Sequence, residues 1–332
     1  MVFSENDTYK EARIIDDINK RGEKHTAIIK GVDEFWDVSL SKFAQELMTK
    51  SAYFSQLPDM MERNDIGMNS RGFPVVTRDS LGIPLAARKE IEILFKLFEK
   101  GEVKPSKLKE ELDRWGAQSH QRAAKARAEG FFNDEILPIE AEQADGKTLT
   151  VDQDQAVRED ATAEGMADLR PAFKPDGVIT AGNSSPLNAA ATSMLLMSKE
   201  TASKKGIKPL ATIRSIGFAG VDPTIMGQGP VPASKKALEK AGLKTSDIDF
   251  WEINEAFCIV ALNCIKELGI DPQKVNVMGG GTAIGHPLGA TGIRLTGTLA
   301  RILNARGGRY GCANACVGGG QGVATIIERE EY

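Results

Sequence analysis

The stretch Phe250-Trp251-Glu252-Ile253-Asn254-Glu255-Ala256-Phe257 sets the pattern for the last third of the chain. Its first four residues predict a strand, because three of them are apolar or aromatic. A short loop at Asn254 follows, and residues 256–268 predict a helix that ends at Gly269. The stretch therefore predicts a strand, a loop that carries a side-chain amide, and a helix.

The same order of elements recurs on both sides of this stretch. The further predicted elements are strands at 178–180, 211–218 and 275–277, and helices at 189–197, 234–241 and 292–305. Such alternation is typical of layered α/β proteins, in which ligands bind at loops that follow strands. The sequence therefore predicts an α/β fold from about residue 177 onward.

The part of the chain before this region is richer in charged residues. A charged helical region is predicted at 86–115, broken near 101–105, and its charges are typical of a solvated helix face. A second helix, rich in alanine and arginine, is predicted at 119–129, with Gly130 ending it. Short strands and charged loops are expected from there to about residue 176.

Composition excludes several classes of function. The chain has 332 residues, 41% of them hydrophobic, and a net charge of −4, so it offers no broad attraction for nucleic acid or anionic membrane. No apolar run reaches the ~18 residues of a membrane span, and the first residues do not resemble a signal peptide. The four cysteines lack Cys-x-x-Cys spacing, which favours a reducing compartment. We therefore expect a cytoplasmic protein with no nucleic acid or membrane partner.

Three segments of the last third place a chemically capable side chain near small residues. They are the Asn254 loop, the glycine loop Gly279-Gly280-Gly281-Thr282-Ala283-Ile284-Gly285-His286-Pro287, and Cys316-Val317-Gly318-Gly319-Gly320-Gln321-Gly322. Glycines allow the backbone to come close to a bound ligand. An amide, an imidazole and a thiol together suit acyl transfer through a thioester or an enolate.

Each of these residues also has a simpler interpretation. Free cysteines are often buried structural residues, so Cys316 could be structural rather than reactive. A lone histidine such as His286 is also often structural. Asn254 is also a residue type that caps helices. The glycine loop does not follow a dinucleotide or phosphate-loop pattern. The three histidines are scattered without ligand spacing, so no metal site is expected.

Several motifs, in order along residues 112–329, resemble the thiolase family. They are Ser119-His120-Gln121-Arg122-Ala123-Ala124, Leu169-Arg170-Pro171-Ala172-Phe173, Thr180-Ala181-Gly182-Asn183-Ser184-Ser185, Gly220-Val221-Asp222-Pro223, Met226-Gly227-Gln228-Gly229-Pro230 and the three segments above. Members of this family cleave or form 3-oxoacyl-CoA. The resemblance implies a thiolase-like layered α/β fold and an acyltransferase of fatty acid metabolism.

The resemblance also implies roles for individual residues. Asn254 would hold a water that forms, with His286, one oxyanion hole for the thioester enolate, and the backbone amide of Gly318 would belong to a second. Cys316 resembles the cysteine that moves protons to and from the substrate α-carbon or the CoA sulfur. Coenzyme A would be a substrate rather than a tightly bound cofactor, and the residues that line its channel would be Ala181, Ser185, Met226, Ala256 and Phe257.

This sequence departs from the family pattern at important positions. The family carries its acyl-accepting cysteine in an N-terminal half-domain, whereas no cysteine precedes Cys258 here. Two smaller departures are Ala189-Ala190, where the family commonly has Asp-Gly, and Met278, where it commonly has Asn. We therefore expect the N-terminal half-domain to be absent from this chain and the nucleophile to come from a separate chain, in a dimer or higher oligomer.

Two other hypotheses are compatible with the same residues. One is a relative that works without covalent acyl transfer, such as a decarboxylase or retro-Claisen enzyme; the other is a non-catalytic CoA-binding subunit.

By the resemblance, the chain divides into four parts. They are a polar N-terminal segment (1–55), a lobe that covers CoA (56–184), a remnant of the N-terminal thiolase domain (185–207) and a C-terminal thiolase domain (208–332).

Overall fold

The computed structural model describes residues 105–142, 146–173, 175–186 and 188–330, together with four short strands that precede them. Contacts divide the chain into two units, residues 1–88 and 89–332. In the first unit, two antiparallel pairs are described. They are β1 (Ala27–Ile28) with β2 (Asp37–Val38), and β3 (Ile66–Met68) with β4 (Pro74–Val76).

The second unit contains the predicted α/β region. Its elements, in chain order, are α1 (Pro105–Ala128), β5 (Ile139–Glu142), β6 (Thr148–Val151), α2 (Ala163–Ala167), α3 (Lys199–Lys204), β7 (Thr212–Gly220), α4 (Pro230–Ala241), β8 (Phe250–Ile253), α5 (Cys258–Leu268), α6 (Gly281–Ile284), α7 (Thr291–Arg306), β9 (Tyr310–Val317) and β10 (Gln321–Glu328). Four of the predicted elements, namely β7, α4, β8 and α7, are confirmed to within a few residues. α5 begins two residues later than predicted and ends, as predicted, at Gly269, which has a left-handed φ of 66°.

Four strands form one mixed sheet in the order β7-β10-β9-β8. β8 and β9 run parallel, while the other two pairs are antiparallel. Because Ile253 pairs with Asn314, the carboxyl ends of β8 and β9 lie at the same edge of the sheet. The Asn254 loop and Cys316 therefore emerge next to each other.

Helices cover both faces of this sheet. On one face, Trp251 and Ile253 of β8 are buried in a core that includes Ala237 of α4 and Ala261 of α5. On the other face, Leu299 of α7 is part of a core with alanines of β9. Full burial of such large apolar side chains contributes about 1.5–3 kcal/mol each, so the core holds the edge of the sheet where β8 and β9 end in a fixed place.

The predicted break between residues 115 and 119 is wrong, because α1 is continuous from Pro105 to Ala128. Gly116 marks a close contact instead. A Cβ at this position would overlap the carbonyl oxygen of Gly182. The glycine lets the turn at residues 181–183 pack directly on α1, and the helix ends at Gly130, which has a φ of 75°.

The helix predicted at 189–197 is also wrong, because these residues have no regular secondary structure. Leu195 and Leu196 are 76% and 61% exposed. A short helix is stable mainly through burial of its apolar face, and the described residues offer these leucines no such partner. The strands predicted at 178–180 and 275–277 are reduced to single bridges, Thr180 with Pro171 and Val275 with Trp251.

A bare apolar surface lies on the same side of the sheet as α7. Ser215 and Gly217 of β7 face α4, so the alternating residues Ile216 and Phe218 point to the opposite side. Phe218 is 65% exposed. The helix α7 packs on β8, β9 and β10, and this half of the face is left without a covering element among the described residues.

Candidate active site

Asn254 stands at the sheet edge, immediately after β8. Its backbone N–H donates to the carbonyl oxygen of Asn314 on β9 at 2.9 Å, and its side chain is fully buried. It does not cap the next helix, because α5 begins at Cys258 with Phe257 in the N-cap position. The capping interpretation of Asn254 is therefore wrong.

His286 reaches the same place from the glycine loop. Its Nε2 lies 3.2 Å from the amide nitrogen Nδ2 of Asn254, and its Nδ1 lies 2.7 Å from the hydroxyl of Thr291. The Thr291 hydroxyl donates to the carbonyl oxygen of Pro287, so its oxygen accepts a hydrogen bond from Nδ1–H. This leaves Nε2 with a lone pair that accepts from Asn254.

The surroundings keep this imidazole neutral. Burial lowers the pKa of His286 below its ordinary value of 6.5, and the positive charge of Arg294 lowers that pKa further. A neutral imidazole with a fixed Nδ1–H tautomer is able to accept a proton at Nε2. His286 therefore has the protonation state of a general base.

The amide of Asn254 keeps one position open. Its Oδ1 is buried and has no hydrogen-bond partner among the described residues. Buried polar atoms are nearly always satisfied by protein, water or ligand. The open Oδ1 is consistent with a site for a water or a polar group of a substrate.

The glycine loop is shaped by close contacts. Gly285 has a φ of 101°, a left-handed conformation that L side chains rarely adopt, and a Cβ there would overlap the amide of Asn188. The Asn188 amide donates to the carbonyl oxygen of Ile284 at 3.3 Å. The loop can therefore present His286 only because glycine precedes it.

Glu255 joins the loops of the site to the helix α1. Its buried carboxylate accepts hydrogen bonds from Trp115 Nε1 (2.9 Å), Ser119 Oγ (2.8 Å), Asn276 Nδ2 (2.6 Å) and the backbone N–H of Thr282 (3.1 Å). A buried charge is tolerated only when it is paired or fully hydrogen-bonded, and here four donors satisfy two oxygens. The network fixes the loop next to Asn254 against the glycine loop.

Comparison with known proteins agrees with this geometry. Two family models match the chain, "Thiolase, N-terminal domain" over residues 106–200 and "Thiolase, C-terminal domain" over residues 207–329. A 3-ketoacyl-CoA thiolase of Marinobacter nauticus is 49% identical over 225 residues, which are 67% of this chain and 58% of that protein. An acetyl-CoA acetyltransferase of Chromobacterium violaceum is 49% identical over 221 residues, or 67% of this chain and 56% of that protein. The chain belongs to the thiolase family.

Solved structures of thiolases share the fold. The crystal structure of the Bacillus anthracis acetyl-CoA acetyltransferase has a TM-score of 0.69 at 44% identity, over 77% of this chain and 62% of that chain. The human mitochondrial 3-ketoacyl-CoA thiolase in complex with CoA has a TM-score of 0.64 at 37% identity, over 80% of this chain and 65% of that chain. The predicted family and the layered α/β fold are thus confirmed. The chain spans 56–58% of the length of the curated relatives named above.

The family relationship leaves the four-part division of the chain a prediction. The N-terminal thiolase model begins to match at residue 106, within the part that the sequence assigned to the lobe.

Within the described residues, no helix is both long and apolar enough to cross a membrane. In the same part of the chain, no three metal-binding side chains are grouped to hold a metal ion.

The four cysteines of this chain differ in their surroundings. None is in a disulfide. Cys258, Cys264 and Cys312 are fully buried, and burial raises the pKa of each, that of Cys312 to about 12. Cys316 is 6% exposed and lies one residue before the exposed hairpin turn that contains Gly318. Among the four, Cys316 is therefore the one placed at the sheet edge beside the Asn254 loop.

The five predicted CoA-channel residues occupy two regions. The turn that begins at Ala181 leads to Ser185, whose backbone N–H and hydroxyl both donate to the carbonyl oxygen of Ala256, at 3.1 and 3.2 Å. Phe257 forms a bridge with Ser184. The structure thus brings Ser185, Ala256 and Phe257 together, while Ala181, four residues before Ser185, is exposed.

Met226 belongs to the second region, a 3₁₀ segment at Pro223–Gln228. This segment packs on α5 and β9. It is tied to the Cys316 hairpin because the N–H of Val221 donates to the carbonyl oxygen of Gly320 at 2.7 Å. A Cβ on Gly322 would also overlap Gly229, the residue after this segment, so the two backbones approach each other closely there.

Sequence reasoning missed a layer of residues behind the site. Thr291 orients His286, and Arg294 pairs with Glu252 with Nη1 2.9 Å from Oε2. The spacing of Thr291, five residues after His286 at the start of a predicted helix, is a signal that was present in the sequence. The Arg294–Glu252 pair had no signal, because it joins residues 42 positions apart.

Glutamine at position 252 is expected to remove a pH dependence of stability. Burial raises the pKa of Glu252 from 4.5 to about 8, although Arg294 opposes the rise. A carboxyl with a raised pKa contributes stability that is complete below 4.5 and is lost as the pH rises through about 8. The wild-type free energy of unfolding, relative to that of Glu252→Gln, should therefore fall from about pH 5 to about pH 9 in urea titrations.

The matched control for this measurement is Glu239→Gln, at an exposed position of α4. Its difference from wild type should stay constant over the same range. A constant difference for Glu252→Gln as well would contradict the raised pKa.

Proposed function

We propose that this chain is a subunit of a thiolase-type acyltransferase that acts on 3-oxoacyl-CoA, and that another chain supplies the nucleophilic cysteine. The observation that carries the proposal is the Asn254–His286 pair at 3.2 Å, with a base at Nε2 and an open amide oxygen. This pair stands at the sheet edge where β9 carries Cys316 as its second-last residue. Thiolytic cleavage and Claisen condensation are the two directions of this reaction.

The chemistry that these groups support can be written step by step for cleavage. The neutral His286 accepts the proton of the nucleophilic thiol, and the thiolate attacks the 3-oxo carbon. The bond between the α- and β-carbons then breaks, leaving the acyl group on the nucleophile and an enolate on the CoA thioester. His286, now protonated, and a water on Asn254 stabilise the negative enolate oxygen.

Cys316 completes the proton balance. Its thiol protonates the α-carbon of the enolate to give the shortened acyl-CoA product. The resulting Cys316 thiolate takes the proton of an incoming CoA thiol, whose sulfur removes the acyl group from the nucleophile. The nucleophile leaves as its thiolate and takes back its proton from His286. A thiol suits both steps because it ionises near neutral pH in a favourable site.

Two observations support a nucleophile on another chain. No cysteine precedes Cys258, and the cysteines other than Cys316 are fully buried with raised pKa values. The apolar surface at Phe218 is of the kind that soluble proteins cover with a partner. We propose a hetero-oligomer, at least dimeric and cytoplasmic, in which the partner covers this surface.

Coenzyme A is proposed as a substrate, held along Ala181, Ser185, Ala256, Phe257 and Met226. The joined loops at Ser185 and Ala256, together with the Phe257 ring, support this assignment, since a narrow pantetheine arm needs a groove with small residues and an apolar wall. The related human structure was determined in complex with CoA.

The test is mass spectrometry of the complex purified through this chain under native conditions. Native spectra should show a second polypeptide. Denaturing spectra after incubation with acetoacetyl-CoA should show the acyl group on that polypeptide and an unchanged mass for this chain. An acyl group on this chain would overturn the proposal, as would turnover without any acyl adduct, which would favour the decarboxylase or retro-Claisen hypothesis. Binding of CoA without turnover would favour the non-catalytic subunit.

A further inference from the structure

Arg294 is the charged residue that acts on the proposed base His286, and the proposed mechanism gives it no role. It belongs to the first turn of α7, where only 14% of its side chain is exposed, and it donates through Nη1 to Glu252 Oε2 at 2.9 Å. Glu252 is completely buried in β8. A buried pair of this kind is seldom retained for stability, because desolvation of the charges offsets most of their attraction.

The position of the pair links the two elements that carry the site. On α7, Arg294 follows Thr291 by three residues, so the two side chains share a helix face, and Thr291 bonds His286 at 2.7 Å. On β8, Glu252 precedes Asn254 by two residues. The Arg294–Glu252 bond therefore joins the helix that holds His286 to the strand that holds Asn254.

The charge of Arg294 acts on His286 as well. Arg294 is the charged group that lowers the pKa of His286 after burial has done so. Three acidic groups face Arg294 from other elements: Glu252 from β8, Glu135 from the segment after α1, and Asp154 from the segment after β6. Burial raises the pKa of all three carboxyls, that of Glu252 to about 8.

The raised pKa values leave the guanidinium charge only partly compensated. A raised pKa favours the protonated form of the Glu252 carboxyl, whereas a guanidinium stays charged. Glu252 therefore accepts the hydrogen bond without cancelling the full positive charge. The remaining charge disfavours a second proton on the nearby imidazole.

We propose that Arg294 is a positioning residue that holds the His286 imidazole against Asn254 through the bond to Glu252 that ties α7 to β8. Arg294 acts through the charge that it presents to His286 and through the bond that ties α7 to β8. It does not contact the reacting atoms. This inference rests on the proposed function only for its kinetic consequence, because the protonation of His286 is measurable without turnover.

The first test is an NMR titration of the histidine ring signals in the full chain. There are three histidines, and the His286 signal is assigned by its loss in His286→Asn. In Arg294→Gln, the titration of His286 should move to higher pH. Arg294→Lys, which keeps the charge, should titrate near wild type. The matched control is Arg301→Gln, two turns further along α7 and paired with Asp134, which should leave His286 unchanged.

The second test measures kcat/KM against pH in the reconstituted complex with acetoacetyl-CoA. The acid limb should move to higher pH in Arg294→Gln but not in Arg294→Lys, while kcat falls in both by up to about 100-fold, as small misplacements of a catalytic group do. An unchanged His286 titration in Arg294→Gln would overturn the inference. So would an equal shift in Arg301→Gln. A wild-type complex without turnover would instead count against the proposed function and would leave the NMR result standing as its own test.

Discussion

Replacing Cys316 with alanine is expected to lower the turnover of 3-oxoacyl-CoA by the assembled enzyme by about 10²–10⁴-fold, the usual contribution of a positioned acid–base group. The loss should appear in the steps that follow cleavage of the carbon–carbon bond. Acylation of the partner's nucleophile by 3-oxoacyl-CoA should still occur, because His286 and Asn254 remain. Exchange of the α-protons of acetyl-CoA with deuterated water, followed by mass spectrometry, should be lost. Serine at position 316 should be nearly as slow as alanine, since a hydroxyl does not ionise near neutral pH.

The matched control is Cys264→Ala. Cys264 is fully buried in α5, and its pKa is raised well above 9.0 by burial and by the neighbouring cysteines. Its loss should leave both acylation and exchange intact. Full activity in Cys316→Ala would contradict the proton-transfer role and favour the non-catalytic hypothesis. Loss of acylation together with exchange would instead assign the nucleophile to Cys316.

The sequence identified the three segments of the site, and the topology of the sheet explains why two of them meet. β8 was predicted from its apolar residues, whereas β9, which carries Cys316, was not predicted as a strand. Once the two strands pair in parallel, with Ile253 opposite Asn314, the Asn254 loop and Cys316 must share an edge. The glycine loop follows from its composition, because only glycine fits the φ of 101° at position 285.

The errors arose where tertiary contact overrides a local signal. Two helices were predicted, one ending at residue 115 and one beginning at 119, yet α1 is continuous there and Gly116 serves a close contact with Gly182. Residues 189–197 have a helical composition, but the described residues provide no surface to bury Leu195 and Leu196. A one-dimensional pattern contains no information about what lies across from a residue.

The supporting residues were the least predictable part of the site. Asn276 illustrates this, because it was predicted to lie in a strand. Instead it has a φ of 47°, and its amide bonds both the N–H and the carbonyl oxygen of Ile253, at 2.8 and 2.9 Å. Asparagine tolerates this left-handed conformation better than other non-glycine residues. In the sequence Asn276 looks like an ordinary strand residue, because its side-chain bonds to Ile253 of β8 become visible only in the structure.

Glutamine in place of Glu255 is expected to destabilise the chain by roughly 3 kcal/mol or more, which makes it the most damaging conservative change in the site. The side chain keeps its size, but an NH₂ group replaces an oxygen that accepts two hydrogen bonds. If the amide faces Asn276 and Trp115, those two donors lose their acceptor. If it faces Ser119 and the N–H of Thr282, the other pair loses it. Either orientation leaves buried donors unsatisfied, and urea unfolding followed by tryptophan fluorescence measures the cost.

A double-mutant cycle with Trp115→Phe separates the network from a general effect of charge. Alone, Trp115→Phe removes one hydrogen-bond donor, 2.9 Å from Glu255, and should lower the free energy of unfolding by about 1–2 kcal/mol. In the Glu255→Gln background it should cost less, because the bond it removes is already weakened, and coupling of about 0.5–3 kcal/mol is usual for residues in direct contact. Additive costs, or a Glu255→Gln variant as stable as wild type, would show that the carboxylate does not organise the loops. Glu255 adjoins Asn254 and bonds the glycine loop at Thr282. Loss of these hydrogen bonds should therefore also increase the solvent exchange of the His286 Nδ1 proton, while the sheet amides stay protected.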